Sequence, residues 1–241
     1  MNFRSIVPNT LTAGNLICGV LAILFAAKGQ LQLAAWLILA GAFLDLFDGL
    51  SARLLKVDGA LGKQLDSLAD VVTFGVAPAF IALSLNGVFA PESTFRAIDY
   101  VPVVFPAFAA FRLAKFNIDT RQSDSFLGLP TPAAGLFWVS VPLGIHDRLD
   151  PGFGENALHL FASSPLAIAV ATLVIGVLMI SEIPLMSLKF KTYAFSKNVR
   201  RYTLIALSAL SFAFLGFASI PIILLLYILL SLSSRNHVIQ S

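Results

Sequence analysis

Asp45 and Asp48 interrupt an apolar run that extends from Leu33 to Leu50, and Asp66 and Asp70 follow after a short connection. Charged side chains inside a membrane-length apolar run are costly and face a cavity or the interior of a helix bundle. Residues three or four apart share one helix face. Asp45 and Asp48 therefore project together from one helix, and Asp66 and Asp70 project together from the next. The connection is short, so the two helices pack antiparallel and the two pairs face each other. Four carboxylates in one place repel one another, and divalent cations relieve that repulsion. An all-oxygen donor set suits Mg²⁺ or Mn²⁺ rather than zinc. Two such ions, about 3.5–4 Å apart, clamp a phosphoryl group and stabilise both its attacking and its leaving oxygen. The bland alternative is a set of structural ion pairs with Arg53 and Lys63.

The rest of the chain has to place these acids. Of its 241 residues, 58% are hydrophobic and 12% charged, against about 25% charged in soluble domains; the mean hydropathy is +0.87. A bilayer span needs roughly 20 mostly apolar residues, and several such runs occur. They are continuous rather than alternating, which excludes a β-barrel. The fold class expected is an all-α integral membrane protein, a polytopic bundle of about eight transmembrane helices. These fall near 9–27, 32–56, 64–89, 100–118, 131–146, 159–181, 202–216 and 219–234. The last two are separated by little more than Gly216–Ser219, so six or seven spans also fit. No internal repeat, broken helix or signal-peptide pattern is evident. Cys18 is the only cysteine and reads as a small core residue. His146, His159 and His237 show no metal-ligand spacing.

Loop charge sets an expected orientation, because cytoplasmic flanks carry excess Lys and Arg. With the N-terminus inside and eight spans, thirteen of the sixteen Lys and Arg residues fall on the cytoplasmic side, five of them in the loop near 182–201. Only Lys28, Arg96 and Arg148 fall on the other. This places the aspartates at the cytoplasmic face of an inner membrane, with basic flanks suited to anionic lipid. Nothing points to nucleic acid.

Written out, the aspartate segment is D-x2-D-G-x2-A-R-x8-G-x3-D-x3-D, from Asp45 through Gly49, Ala52, Arg53, Gly62 and Asp66 to Asp70. This resembles the signature of the CDP-alcohol phosphatidyltransferases at every position. The resemblance implies that Asp45, Asp48 and Asp66 are metal ligands, and that Asp70 is both a ligand and the general base. It implies two Mg²⁺ or Mn²⁺ ions holding the pyrophosphate of a CDP-activated lipid, with Gly49, Ala52 and Arg53 against the CDP moiety. Gly49 and Ala52, on the carboxylate face, leave room for a nucleotide, and Gly62 permits close approach at the helix entry. Asn9, Thr12 and Asn15, polar groups near the inner end of the first helix, are candidates to contact cytidine or phosphate, or to bond neighbouring helices.

Four further stretches resemble one subgroup of that family, the membrane-integral phosphatidylserine synthases. They are Pro8–Leu16, Phe111–Asn117, Phe126–Ala134 and Leu178–Pro184, with Ser187–Lys189 just beyond. The departure is Lys115, where the subgroup carries Arg; the charge stays but the fork geometry is lost. This resemblance implies transfer of phosphatidyl from CDP-diacylglycerol to L-serine with release of CMP, and a homodimer. The carboxylate of serine requires a cation, for which Arg112, Lys115 and Arg121 are candidates, Arg112 first because a fixed fork suits a carboxylate. Gly128, Pro130 and Pro132 shape a turn that closes over the serine or simply connects two helices. The expected division is a catalytic domain over 1–190 and a C-terminal helical pair over 191–241 completing the same membrane unit. Two alternatives stand beside this reading. One is a sister enzyme whose acceptor is glycerol 3-phosphate or inositol phosphate; the other is a cation or proton transporter that uses intramembrane carboxylates.

Overall fold

A computed structural model of the chain describes residues 5–56, 59–92, 94–119, 125–145, 153–186 and 194–233, and these are almost entirely helical. Apolar runs of this length satisfy every backbone N–H and C=O internally only as helices. Helices α1 (Ile6–Ala27) and α2 (Leu31–Leu55) form an antiparallel hairpin, packed along their length. The turn between them contains Gly29 at φ +73°. Next comes one 26-residue span, Ala60–Leu85, made of α3 (Ala60–Asp70), a π-helical turn (Val71–Val76) and α4 (Ala77–Leu85). The widened turn has a local cause. Pro78 lacks an N–H, and in regular α geometry its ring crowds the carbonyl of Phe74. A π turn over 71–76 absorbs that conflict immediately after Asp70.

The fourth span begins as a 3₁₀ helix, Ala97–Val104, and continues as α5 (Phe105–Ile118). Helix α6 (Thr131–Ile145) is shorter than a bilayer span but is buried on most of its faces, from Thr131 through Trp138 to Gly144. The expected helix over 159–181 is instead two helices, α7 (Phe153–Ala162) and α8 (Pro165–Ile180), bent by 92° at the break. Pro165 opens α8, and Ser164 caps it by accepting a 3.3 Å hydrogen bond from Ala167 N–H. A proline at the first helical position starts a helix and cannot continue one through it. The expectation of no broken helix is thus corrected, at a place that involves none of the four aspartates.

Helices α9 (Phe195–Leu215) and α10 (Ile220–Leu232) are joined by a 3₁₀ turn, Gly216–Ser219. Taken as one stretch, Asn198–Leu232 covers 35 residues, which as a straight rod would measure about 50 Å. It is a hairpin. Arg200 Nη2 donates to Ser233 O at 3.3 Å, which brings the start of α9 beside the end of α10. Gly216, at φ +55° and ψ −139°, supplies a turn conformation open to glycine. All eight expected segments are helical, the one over 159–181 as a bent pair; with Asn198–Leu232 counted as one stretch, five are long and apolar enough to cross a membrane, or six if the bent pair is one span.

The exception to the helices is a two-stranded antiparallel ribbon of β1 (Ser125–Leu127) and β2 (Pro184–Met186), with Phe126 opposite Leu185. It lies where the sequence reads a loop and a helix end. The two larger of three apolar clusters hold most of the bundle. One gathers Phe105, Ala109, Leu129, Trp138, Ile168, Leu185 and Tyr227. The other gathers Ile38, Phe74, Ile81 and Val139 between α1, α2, α4 and α6. The chain is an all-α multi-pass membrane protein.

Candidate active site

Asp45 and Asp48 lie in the last three turns of α2, and Asp66 and Asp70 in the last two turns of α3. One carboxylate oxygen each from Asp45, Asp48 and Asp66 falls within 4.8 Å of the others. Asp45 and Asp66 lie close enough for each to feel the other. Asp70 is 7% exposed and feels the charges of Asp45, Asp66 and Asp48. The two helices thus turn all four acids toward one place, three in a tight group and the fourth beside it.

Helix α1 provides the polar lining. Thr12 Oγ1 donates to Asp48 Oδ2 at 2.6 Å, and Asn15 Nδ2 donates to Asp70 Oδ1 at 3.3 Å. Asn15 is fully buried, and Thr73 Oγ1, in the π turn, donates to its backbone carbonyl at 3.0 Å. Two glycines let the backbones approach this knot. A Cβ on Gly19 would lie 2.5 Å from Thr73 Oγ1, and one on Gly41 would lie 2.7 Å from Thr73 Cγ2 and 2.9 Å from Asn15 Oδ1. Gly62, expected to permit a close approach, meets Asn9 Oδ1 only at an ordinary 3.7 Å. The tight contacts are one helix away, at Gly19 and Gly41. Gly49 faces open space, with Ala52 half-buried and Arg53 exposed beyond it.

Among the described residues the four acids have no ion-pair partner. Among the described residues the ion pairs are Arg96–Asp99 and Lys115–Glu182, so the expected alternative of pairing with Arg53 and Lys63 is not seen there. Lys63 Nζ instead donates to Asn117 O at 3.0 Å. Asp66 Oδ1 is buried without a hydrogen-bond partner. A compact group of carboxylate oxygens, one of them orphaned, fits hard divalent ions. Asp45, Asp48, Asp66 and Asp70 are the residues that would hold them.

Of the residues expected to meet the acceptor, Arg112 of α5 is 7% exposed and stacks over the Phe116 ring at 5.0 Å. It makes no ion pair among the described residues, and its ionisable neighbours are Asp70 and the neutral phenol of Tyr227. Lys115 is engaged by Glu182 at 2.9 Å. Arg121 lies outside the described residues. Gly128 has φ +75°, and a Cβ there would collide with Met179 O and Ser181 O. Its N–H donates to Ile183 O, and that of Leu129 to Leu178 O, both at 2.9 Å. Pro130 follows, and Thr131 opens α6 with its hydroxyl buried and unpartnered.

Sequence reasoning missed Thr73, Thr131 and Tyr227. Nothing local distinguishes a Thr or Tyr buried in the bundle from one that faces lipid. Asn15 was visible as a polar residue in an apolar run, but not its partner 55 positions away.

Known proteins resemble this chain along most of its length. Over 180 residues it is 38% identical to the CDP-diacylglycerol–serine O-phosphatidyltransferase of Helicobacter pylori, which is 73% of this chain and 70% of that protein. Over 181 residues it is 34% identical to the Bacillus subtilis protein of the same name, covering 73% and 88%. An archaetidylserine synthase of Methanothermobacter thermautotrophicus shares 32% over 165 residues, covering 66% and 68%. The acids on α2 and α3, the glycines between them and the helices that carry them all lie inside residues 5–232, the extent matched by the model of CDP-alcohol phosphatidyltransferases, and the chain belongs to that family.

Proposed function

We propose that this chain is a phosphatidylserine synthase, which transfers phosphatidyl from CDP-diacylglycerol to the hydroxyl of L-serine and releases CMP. The observation that carries the reading is the group of four acids on α2 and α3, none of them in an ion pair among the described residues. The names of the relatives support serine as acceptor.

When bound at Asp45, Asp48, Asp66 and Asp70, two divalent ions, Mg²⁺ or Mn²⁺, neutralise the pyrophosphate and stabilise the attacking and leaving oxygens. The chain's own residues do the rest. The open face at Gly49 and Ala52, with Arg53 at its edge, receives the CDP moiety, and Asn9 stands beside Gly62 at the entry. Thr12 fixes the Asp48 carboxylate through its 2.6 Å hydrogen bond, a more specific role than contact with CDP. Asn15 holds one oxygen of Asp70, leaving the other to take the proton from the serine hydroxyl. The freed oxygen attacks the phosphorus attached to the lipid, and CMP leaves with the electron pair of the broken P–O bond. Alignment of the two substrates supplies most of the acceleration. Arg112, buried and without an ion pair among the described residues, offers its planar fork to the serine carboxylate. The Gly128–Pro130 turn and Thr131 close that side.

The excess of Lys and Arg at the acid-bearing end supports an inner-membrane location with the site facing the cytoplasm. A homodimer and the division into 1–190 and 191–241 belong to the same reading; the family match extends to residue 232, across that division.

The test is an acceptor panel. Purified protein in detergent is given CDP-diacylglycerol and labelled L-serine, glycerol 3-phosphate or inositol phosphate, with and without chelator. Serine alone should yield labelled lipid and CMP, and chelator should abolish both. Labelling by a phosphorylated acceptor would reassign the chain to a sister activity. CMP release that ignores chelator would remove the metals, and no CMP release at all would favour a transporter.

A further inference from the structure

The C-terminal hairpin carries none of the four acids, yet α10 reaches the ribbon beside Gly128 through a closed ring of hydrogen bonds. Tyr227 OH donates to Met186 O at 3.0 Å. The Met186 N–H donates to Ser231 Oγ at 3.0 Å. Ser231 Oγ in turn donates to Tyr227 O at 2.7 Å. Two side chains one turn apart on α10 thus satisfy both peptide groups of a single residue in β2. They take the place of a third strand on the outer edge of the ribbon, where an unpaired N–H and C=O would otherwise be left.

The ribbon is not free to sit anywhere once this edge is held. β2 pairs with β1, and the chain leaves β1 directly into the Gly128–Pro130 turn, which is tied to Ile183 O and Leu178 O. Leu129 of the turn, Leu185 of β2 and Tyr227 pack in one cluster with Ala109 of α5. Ala109 stands three residues before Arg112, on the same helix face. Arg112 and Tyr227 are also electrostatic neighbours. The phenol and the serine hydroxyl are nearly buried, at 8% and 3% exposure for their residues, so water does not compete for these bonds.

We propose that Tyr227 and Ser231 are positioning residues for the acceptor pocket: by gripping Met186 they fix the β1–β2 ribbon and, through it, the Gly128–Pro130 turn on the Arg112 side of the site. The proposal rests on the reading of Arg112 as the acceptor's cation. It makes the hairpin a determinant of acceptor affinity rather than of chemistry or of CDP-lipid binding, which is carried by α1, α2 and α3.

The experiment is steady-state kinetics on the full-length protein in detergent micelles, with both substrates varied. Tyr227→Phe keeps the ring in the apolar cluster and removes only the donor. It should raise the KM for serine about fivefold, the scale of one buried hydrogen bond, while kcat and the KM for CDP-diacylglycerol stay within about twofold. Ser231→Ala should shift the same constant in the same direction, and Ser231→Thr, which keeps the hydroxyl, should restore it. The double variant should fall short of the product of the single effects, because the bonds form one ring. A folded Tyr227→Phe protein with unchanged acceptor KM overturns the proposal. So do equal losses in kcat and both KM values, which mark general loosening. Arg112→Lys, run alongside, separates the two readings. If it leaves the serine KM unchanged, the assignment of Arg112 is wrong; if it raises that KM while the α10 variants are silent, only the positioning role is. Should the wild-type protein prefer another alcohol, the same split is read with that alcohol.

Discussion

Two buried acidic places in this bundle are built in opposite ways. Near the α1–α2 turn end, Asp99 is 4% exposed and is answered from within the chain. Arg96 grips it with Nε at 2.7 Å and Nη2 at 3.0 Å, a bidentate fork of the kind that satisfies a carboxylate outright. At the other place four acids share one Thr and one Asn as side-chain donors and make no ion pair among the described residues. A buried charge without a partner is strongly destabilising. The first place is finished by folding, whereas the second, on the proposed reading, is completed by ions and substrate from outside. Burial of a carboxylate alone does not mark a site; burial with the counter-charge withheld does.

The most direct way to break this contrast is Asp70→Asn. The amide keeps the shape and the Asn15 contact but cannot take a proton. Turnover should fall by about 10³ or more, within the range that general-base catalysis supplies. CDP-diacylglycerol binding, measured by equilibrium binding with divalent cation present, should largely persist. Turnover within tenfold of wild type would remove Asp70 from the proton transfer.

A smaller loss sharpens the comparison by probing how the second place is held in readiness. Asn15→Ala removes the donor to Asp70. The 3.3 Å bond is long, so the low end for a hydrogen bond to a charge applies and kcat should drop about tenfold. The KM for both substrates should move less. If kcat is unchanged, the orientation of Asp70 comes from α3 alone.

The contrast was half legible in the sequence. The pairs Asp45/Asp48 and Asp66/Asp70 carry helical spacing, so their convergence follows from period and a short connection. Their neighbours do not announce themselves. Asn15 and Thr73 are 58 positions apart, and Tyr227 and Met186 are 41 apart; no local pattern encodes such pairs. The strands β1 and β2 have three residues each, too few to show alternation. The π turn has no period of its own. Pro165, by contrast, is a readable stop inside the run 159–181, marking where the helix breaks though not the 92° angle of the bend. Apolar continuity identifies a membrane protein well and locates its breaks poorly, since lipid-facing and buried residues look alike in it.

The last prediction concerns the finished place. Arg96→Gln withdraws the fork from Asp99 and should cost stability without touching chemistry. Breaking a fully buried pair costs several kcal/mol, but the Arg96 side chain is 58% exposed against 5% for Asp99. Solvent therefore screens part of the interaction and rehydrates the departing partner. A loss of about 1–2 kcal/mol follows, visible as a fall of a few degrees in the melting temperature in detergent. With divalent cation and both substrates present, kcat should stay within about twofold, because no element of this corner carries a ligand to the acids on α2 and α3. Added divalent cation should raise the melting temperature of wild type and variant by the same increment, since it binds at the other place. If Arg96→Gln instead lowered turnover tenfold at a temperature where the protein is folded, the two places would be coupled, and Asp99 could no longer stand as the purely structural member of the pair.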